Sequence, residues 1–180
     1  MIASRLLYRV RQFWHALRAA PSDKELDDVR SLLNPGQMTL FRGMQSSEQA
    51  HSIQVMQAVF RTGADQLGER RTDVLRAALL HDVGKNCYPL RIWERVLIVL
   101  TGAFAPALIE RWGEGEVMSW RRTFVVARQH PSWGAQMAAE AGASELTVAL
   151  IRRHQDAFLR NGEDFEDRML RLLQSADHEL

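Results

Sequence analysis

The sequence is poor in cysteine, in long apolar runs and in net charge. Cys87 is the single cysteine, so no internal disulfide can form. A reducing, cytoplasmic setting is the expectation. The formal net charge is +1, too near neutral to argue for a nucleic-acid duplex or a charged membrane surface. The longest apolar run, Val96 to Ile109, is interrupted by Gly102 and Pro106. It falls short of the roughly 20 apolar residues that span a bilayer. It is read as two buried helical pieces meeting near Thr101–Gly102, with membrane association as the alternative. Arginines scattered through the first twenty residues exclude a signal-peptide reading. β-Branched alternation is also scarce, which argues against strands.

What remains is an ordinary globular composition. A chain of 180 residues, 46% hydrophobic and 25% charged, fits one domain with a real core. Helical signals run throughout. Leu6, Val10, Phe13, Trp14 and Leu17 recur at helical spacing. Ser22 and Glu25 form a capping-box pattern. Ser46 and Ser47 are placed to cap a helix through His51 to Phe60, ended by Gly63. A helix from about Thr72 should lead into His81–Asp82 and stop at a left-handed Gly84. Further helices are expected over 90–100, 106–111, 120–129, 131–141, 145–154 and 163–178. Pro131 would sit first in its helix and Gly142 would end it. The expectation is an all-α, compact, single-domain helical array.

Six residues carry the chemical signal, in the order His51, His81–Asp82, His130, His154, Asp177. Each lies within or at the end of an expected helix, and a bundle can gather such residues into one core site. Imidazole and carboxylate together suit divalent iron, manganese or zinc. A carboxylate has two oxygens with which to bridge two ions. The local string AALLHDVGK, residues 77–85, ends an apolar helix in two ligand types, a glycine and Lys85. A cation there can hold a phosphate oxygen. His15 and His178 read as ordinary core or surface histidines.

This order, with HDVGK and with HPSWGAQMAAEAG at 130–142, resembles the HD superfamily of metal-dependent phosphohydrolases. The resemblance covers roughly residues 45–180 and leaves 1–44 as an N-terminal helical extension packing on the core. It implies that His51, His81, Asp82 and Asp177 hold one divalent ion. Asp82, His130 and His154 would hold a second, with Asp82 between them. Iron, manganese, zinc or magnesium, as one ion or two, is the implied cofactor. It further implies that an ion-activated hydroxide attacks a phosphoester or phosphoanhydride, with Asp82 and Lys85 as catalytic groups. No Gly-Tyr-Pro follows His154, which counts against the cyclic-di-GMP phosphodiesterase subclass.

Arg152 and Arg153 flank His154 and are candidates for substrate phosphate. Arg121, Arg122 and Arg128 are weaker ones, read as a solvated face. Trp133 is a candidate pocket wall, and the stretch between Asn86 and Trp120 is expected to shape substrate choice. The expected partner is a small phosphorylated molecule, a nucleotide in the first instance. The alternatives are a non-catalytic HD-fold signalling or scaffold module and a closed structural metal site. Arg5, Arg9, Arg11 and Arg18 precede the first acid, Asp23. Their helix is read as packing on the domain, with contact to a membrane surface or a protein as the alternative.

Overall fold

A computed structural model describes residues 19–157 and 164–179. The expected N-terminal helix, with its arginines at 5, 9, 11 and 18, lies outside the described residues. Within them, nine α-helices and two 3₁₀ turns occur, with no strand. The helices are α1 (Asp23–Leu32), α2 (Pro35–Gly43), α3 (Ser46–Gly63), α4 (Arg71–Leu80) and α5 (Ile92–Phe104). There follow α6 (Pro106–Trp112), α7 (Arg122–Glu140), α8 (Glu145–Arg153) and α9 (Phe165–His178). The 3₁₀ turns are Gly68–Arg70 and Val83–Cys87.

Local chemistry explains the ends. Ser22 caps α1 in a reciprocal box with Glu25. Asn34 does the same for α2 with Gln37, ahead of Pro35 at the first helical position. The serines at 46 and 47 do not cap α3. Ser46 is already helical, Gln45 is the N-cap, and the Glu48 carboxylate accepts from the Gln45 backbone N–H at 3.2 Å. Gly142 has φ +72° and closes the turn after α7, as expected.

The central element is α4. Val74, Leu75 and the run Ala77–Leu80 are all buried, so the helix is enclosed by neighbours on most of its circumference. It packs on α3 and α8, and more lightly on α1, α2 and α9. Val29 of α1 and Phe41 of α2 join the same core cluster as Leu79, Ile151 and Leu173. Each such large apolar side chain contributes about 1.5–3 kcal/mol by burial. The chain therefore delivers His81 and Asp82 at the end of its best-buried helix.

Three expectations are corrected. First, residues 122–140 form one helix with Pro131 inside it, not two helices. Pro131 has no N–H for the Ala127 carbonyl. The His130 ring Nδ1 lies 3.0 Å from that oxygen and 3.0 Å from the Val126 carbonyl, so the side chain supplies the donor that proline lacks. Second, Gly84 is not left-handed, since the positive-φ residues described are Gly68 and Gly142. It is a contact residue: a Cβ there would fall 2.0 Å from the His130 carbonyl oxygen and 2.6 Å from the Gly134 nitrogen. The Val83–Cys87 turn thus lies directly against the backbone of α7.

Third, the apolar stretch at 96–109 is not two buried pieces. α5 runs unbroken through Thr101–Gly102, and the break falls at Ala105. Ile92, Trp93, Leu97, Val99, Leu100 and Phe104 are all exposed. Among the described residues no single helix is long and apolar enough to cross a membrane.

Candidate metal centre

The six ordered residues arrive from five places. His51 comes from the middle of α3, His81 and Asp82 from the end of α4, His130 from α7, His154 from the end of α8, and Asp177 from the last turn of α9. The structure brings all six together as two adjoining sets. One is His51, His81 and Asp177, and the other is Asp82, His130 and His154. Within each set the ligand atoms lie within 4.8 Å of one another.

The first set is close-knit. His51 Nε2 is 2.8 Å from Asp177 Oδ1, and His81 Nε2 is 3.5 Å from the same oxygen. In the second, His130 Nε2 is 3.2 Å and His154 Nε2 4.0 Å from Asp82 Oδ1. Asp82 addresses both sets. Its Oδ1 faces His130 and His154, while Oδ2 lies 3.6 Å from His81 Nε2 and 2.6 Å from Lys85 Nζ.

Backbone carbonyls set the tautomers. His81 Nδ1 is 2.9 Å from the Ala78 carbonyl, and His154 Nδ1 is 2.7 Å from that of Ile151. His130 Nδ1 lies against Val126 and Ala127. A carbonyl only accepts, so each Nδ1 carries a proton and each Nε2 is turned inward, where its lone pair is available to an ion once the ring is neutral. That is the outer hydrogen-bonding arrangement of a metal-ligating histidine.

Two observations test whether these residues fit a cation. His81 Nε2 is buried with no hydrogen-bond partner, a costly state for a polar atom. His130 Nε2 and His154 Nε2 stand 3.3 Å apart. With both Nδ1 atoms protonated, these two lone pairs face each other and need a positive centre between them. The donor set of imidazoles and carboxylates therefore fits a divalent ion on both counts.

The electrostatics agree. Burial holds His130 below the ordinary imidazole value and His154 down at about 3, the latter reinforced by the His81 and His130 rings. Burial also opposes charge on His81, but the Asp82 and Asp177 carboxylates outweigh it and raise its pKa to about 9. Burial likewise disfavours the Asp82 carboxylate, but Lys85 and His81 hold it well below its ordinary range. Burial also disfavours the Asp177 carboxylate, but His51 and His81 keep it low. A proton on His81 stands where a cation would, and an ion binding there must displace it.

The sets open into a cavity of about 450 Å³. His51, Asp82, Lys85 and His130 form its floor, with Leu90, Ile98, Val99, Val126 and Gln155 on the walls. Four lining residues come from the stretch between Asn86 and Trp120: Leu90, Arg95, Ile98 and Val99. Sequence reasoning missed the Glu48–Arg95 ion pair, 2.5 Å long, which also lines the cavity. Its members are 47 residues apart, so no local signal joins them.

The structure places the arginine candidates away from the cavity lining. Arg153 does not face the cavity, because its guanidinium is held by Glu166 at 2.5 Å, Asp167 at 2.7 Å and Asp156 at 3.5 Å. Those hydrogen bonds raise its pKa further and make it a clamp between α8 and α9. Arg152 is exposed and does not line the cavity. Arg128 pairs with Glu110 and Glu114, and Arg122 donates to the Pro89 carbonyl. Trp133 packs on Tyr88 with ring centres 5.3 Å apart and does not line the cavity either. His178 is exposed and stands outside both ligand sets.

In comparisons with known proteins, no curated protein and no solved structure matches the chain. A family model does, over residues 49–178, and its description is HD domain. That match covers well over half the chain and includes all six gathered residues, and on it the chain belongs to the HD domain family.

Proposed function

We propose that the protein is a metal-dependent phosphohydrolase acting on a small phosphoester or phosphoanhydride, a nucleotide in the first instance. The observation that carries this reading is the shared Asp82. Its two oxygens address two ligand sets, and the floor they form opens into a cavity large enough for a small phosphorylated molecule. A closed structural site would have no such opening.

In this reading His51, His81, Asp82 and Asp177 would hold one divalent ion, and Asp82, His130 and His154 would hold a second where one binds. Such ions, when bound, polarise a phosphoryl group and acidify a water molecule. The protein's own groups do the rest. The inward Nε2 atoms are fixed by their backbone partners, so the ligand geometry is set before substrate arrives. Lys85 is partly buried, and its charge is sustained by Asp82 2.6 Å away despite the burial that opposes it. From there its ammonium can neutralise a phosphoryl oxygen as negative charge develops. Leu90, Ile98, Val99 and Val126 offer an apolar wall to the rest of the substrate and keep water away from the reacting end.

The test is phosphate release from mononucleotides, dinucleoside polyphosphates and cyclic dinucleotides by manganese- or iron-loaded protein. Turnover of one class is expected, reduced by about 10³-fold or more in Asp82→Ala. Metal-loaded protein that turns over none of them, or a variant as active as the parent, would contradict the reading.

A further inference from the structure

The outward face of α5 is chemically inverted. At 100° per residue, Ile92, Trp93, Val96, Leu97, Val99, Leu100 and Phe104 fall within an arc of roughly 160°. No charged residue shares that arc. All but Val96 are exposed, Phe104 to 84% and Trp93 to 59%. The charged residues of the helix turn inward instead. Glu94 is buried, accepts from the Arg91 backbone N–H at 2.6 Å and lies 3.4 Å from the Thr123 hydroxyl. Arg95 pairs with Glu48 in the cavity wall. A helix of a soluble domain does the reverse, so this face is built to meet something apolar.

The shape and the surrounding charge say what that is. α5 and α6 together are apolar enough for a bilayer by length and composition, and they bend by 119° at the break beside Phe104, which gives the pair the outline of a wedge. Around the wedge stand aromatic and cationic groups of the kind that lie at a lipid–water boundary. Trp120 is 71% exposed, braced edge-on by Trp112 with ring centres 5.4 Å apart, and the Arg121 guanidinium lies 5.1 Å from its ring centre. Arg91 and Arg111, at the start of α5 and near the end of α6, are exposed. Three exposed acids share this region, Glu110 and Glu114 paired with Arg128 and Glu116 after them, and they are outnumbered by Arg91, Arg111, Arg121, Arg122 and Arg128. An apolar wedge with exposed tryptophan and a surplus of arginine complements an anionic bilayer surface.

We propose that α5 and α6 seat the protein on an anionic lipid bilayer, with Trp93, Leu100 and Phe104 entering the acyl boundary. Val99 belongs both to the wedge and to the cavity wall, so the seated protein turns its cavity mouth toward the headgroups.

The test is flotation of the full chain with vesicles of phosphatidylcholine alone and of phosphatidylcholine with phosphatidylglycerol. A triple variant, Trp93→Ser with Leu100→Ser and Phe104→Ser, is run beside it, and light scattering gives the mass of both. The parent should float with the anionic vesicles, and the variant should lose at least about tenfold of that partition while keeping its helical circular dichroism. Absence of flotation would overturn the proposal. So would equal flotation of the variant, which would assign binding to the N-terminal arginines. A parent dimer that the variant converts to monomer, without vesicle binding, would assign the face to a second copy of the chain.

Discussion

The floor of the cavity and the outer face of α5 break the same rule in opposite directions. At the floor, His81, Asp82, His130 and His154 are polar and buried. On α5, Trp93, Leu100 and Phe104 are apolar and exposed. The core is conventional, with Val29, Phe41, Leu79 and Leu173 inside. Each inversion costs free energy in the isolated chain, and each would be relieved by the partner proposed for it, an ion at the floor and a bilayer on α5. The difference lies in preparation. The buried histidines are locked by backbone carbonyls, as a centre for an ion requires. Among the described residues no comparable contact locks the face of α5, as a surface meeting a fluid partner allows.

Substitutions should separate the two regions sharply. The largest effect on stability is expected from Gly84→Ala. Its Cβ would meet the backbone of α7 at His130 and Gly134, which cannot yield as a side chain can. A loss of about 3 kcal/mol or more is expected in urea denaturation, and a loss under about 0.5 kcal/mol would show that the turn has room to shift. Lys85→Met comes next. Turnover should fall about 10²-fold while bound metal stays unchanged, because the lysine faces substrate and the ligands remain. Loss of the metal in this variant would reassign Lys85 to holding Asp82.

Arg153→Met should lower stability by about 1–3 kcal/mol, because it strands Glu166 and Asp167 without their shared partner. Its kcat/KM should hold within about twofold, since the side chain points away from the cavity. A selective rise in KM would restore a role in phosphate binding. The smallest effect belongs to Phe104→Ser, within about 0.5 kcal/mol of the parent, because the ring is 84% exposed. A large loss would mean that the face is covered in the free protein.

The two regions also differ in how far they could be read from the sequence. The grouping of the six residues was legible because they are rare residue types in order, with HDVGK at the end of an apolar helix. Helices α4, α6, α8 and α9 begin or end within a few residues of their expected positions for similar reasons of capping and periodicity. The α5 face was not legible. A run such as Val96–Leu100 has no polar side to mark its orientation, so burial and exposure look alike. Pro131 misled because proline inside a helix is costly unless another donor reaches the stranded carbonyl, and that donor is the His130 side chain. Gly84 was read as a stop although its role is contact with α7, some fifty residues on. Arg153 reads as a candidate for phosphate because it flanks His154, while its carboxylate partners, Glu166 and Asp167, lie on a later helix where no local signal shows them.

The central claim is that one buried carboxylate, Asp82, ties two sets of inward-facing ligands into a single ion-binding centre. It is tested most directly by calorimetric titration of manganese into metal-stripped protein, beside Asp82→Ala and His154→Ala variants. Tight binding by the parent is expected, with loss of all tight binding in Asp82→Ala and of part of it in His154→Ala. No tight binding by the parent, or an Asp82→Ala variant that binds as the parent does, would contradict the account.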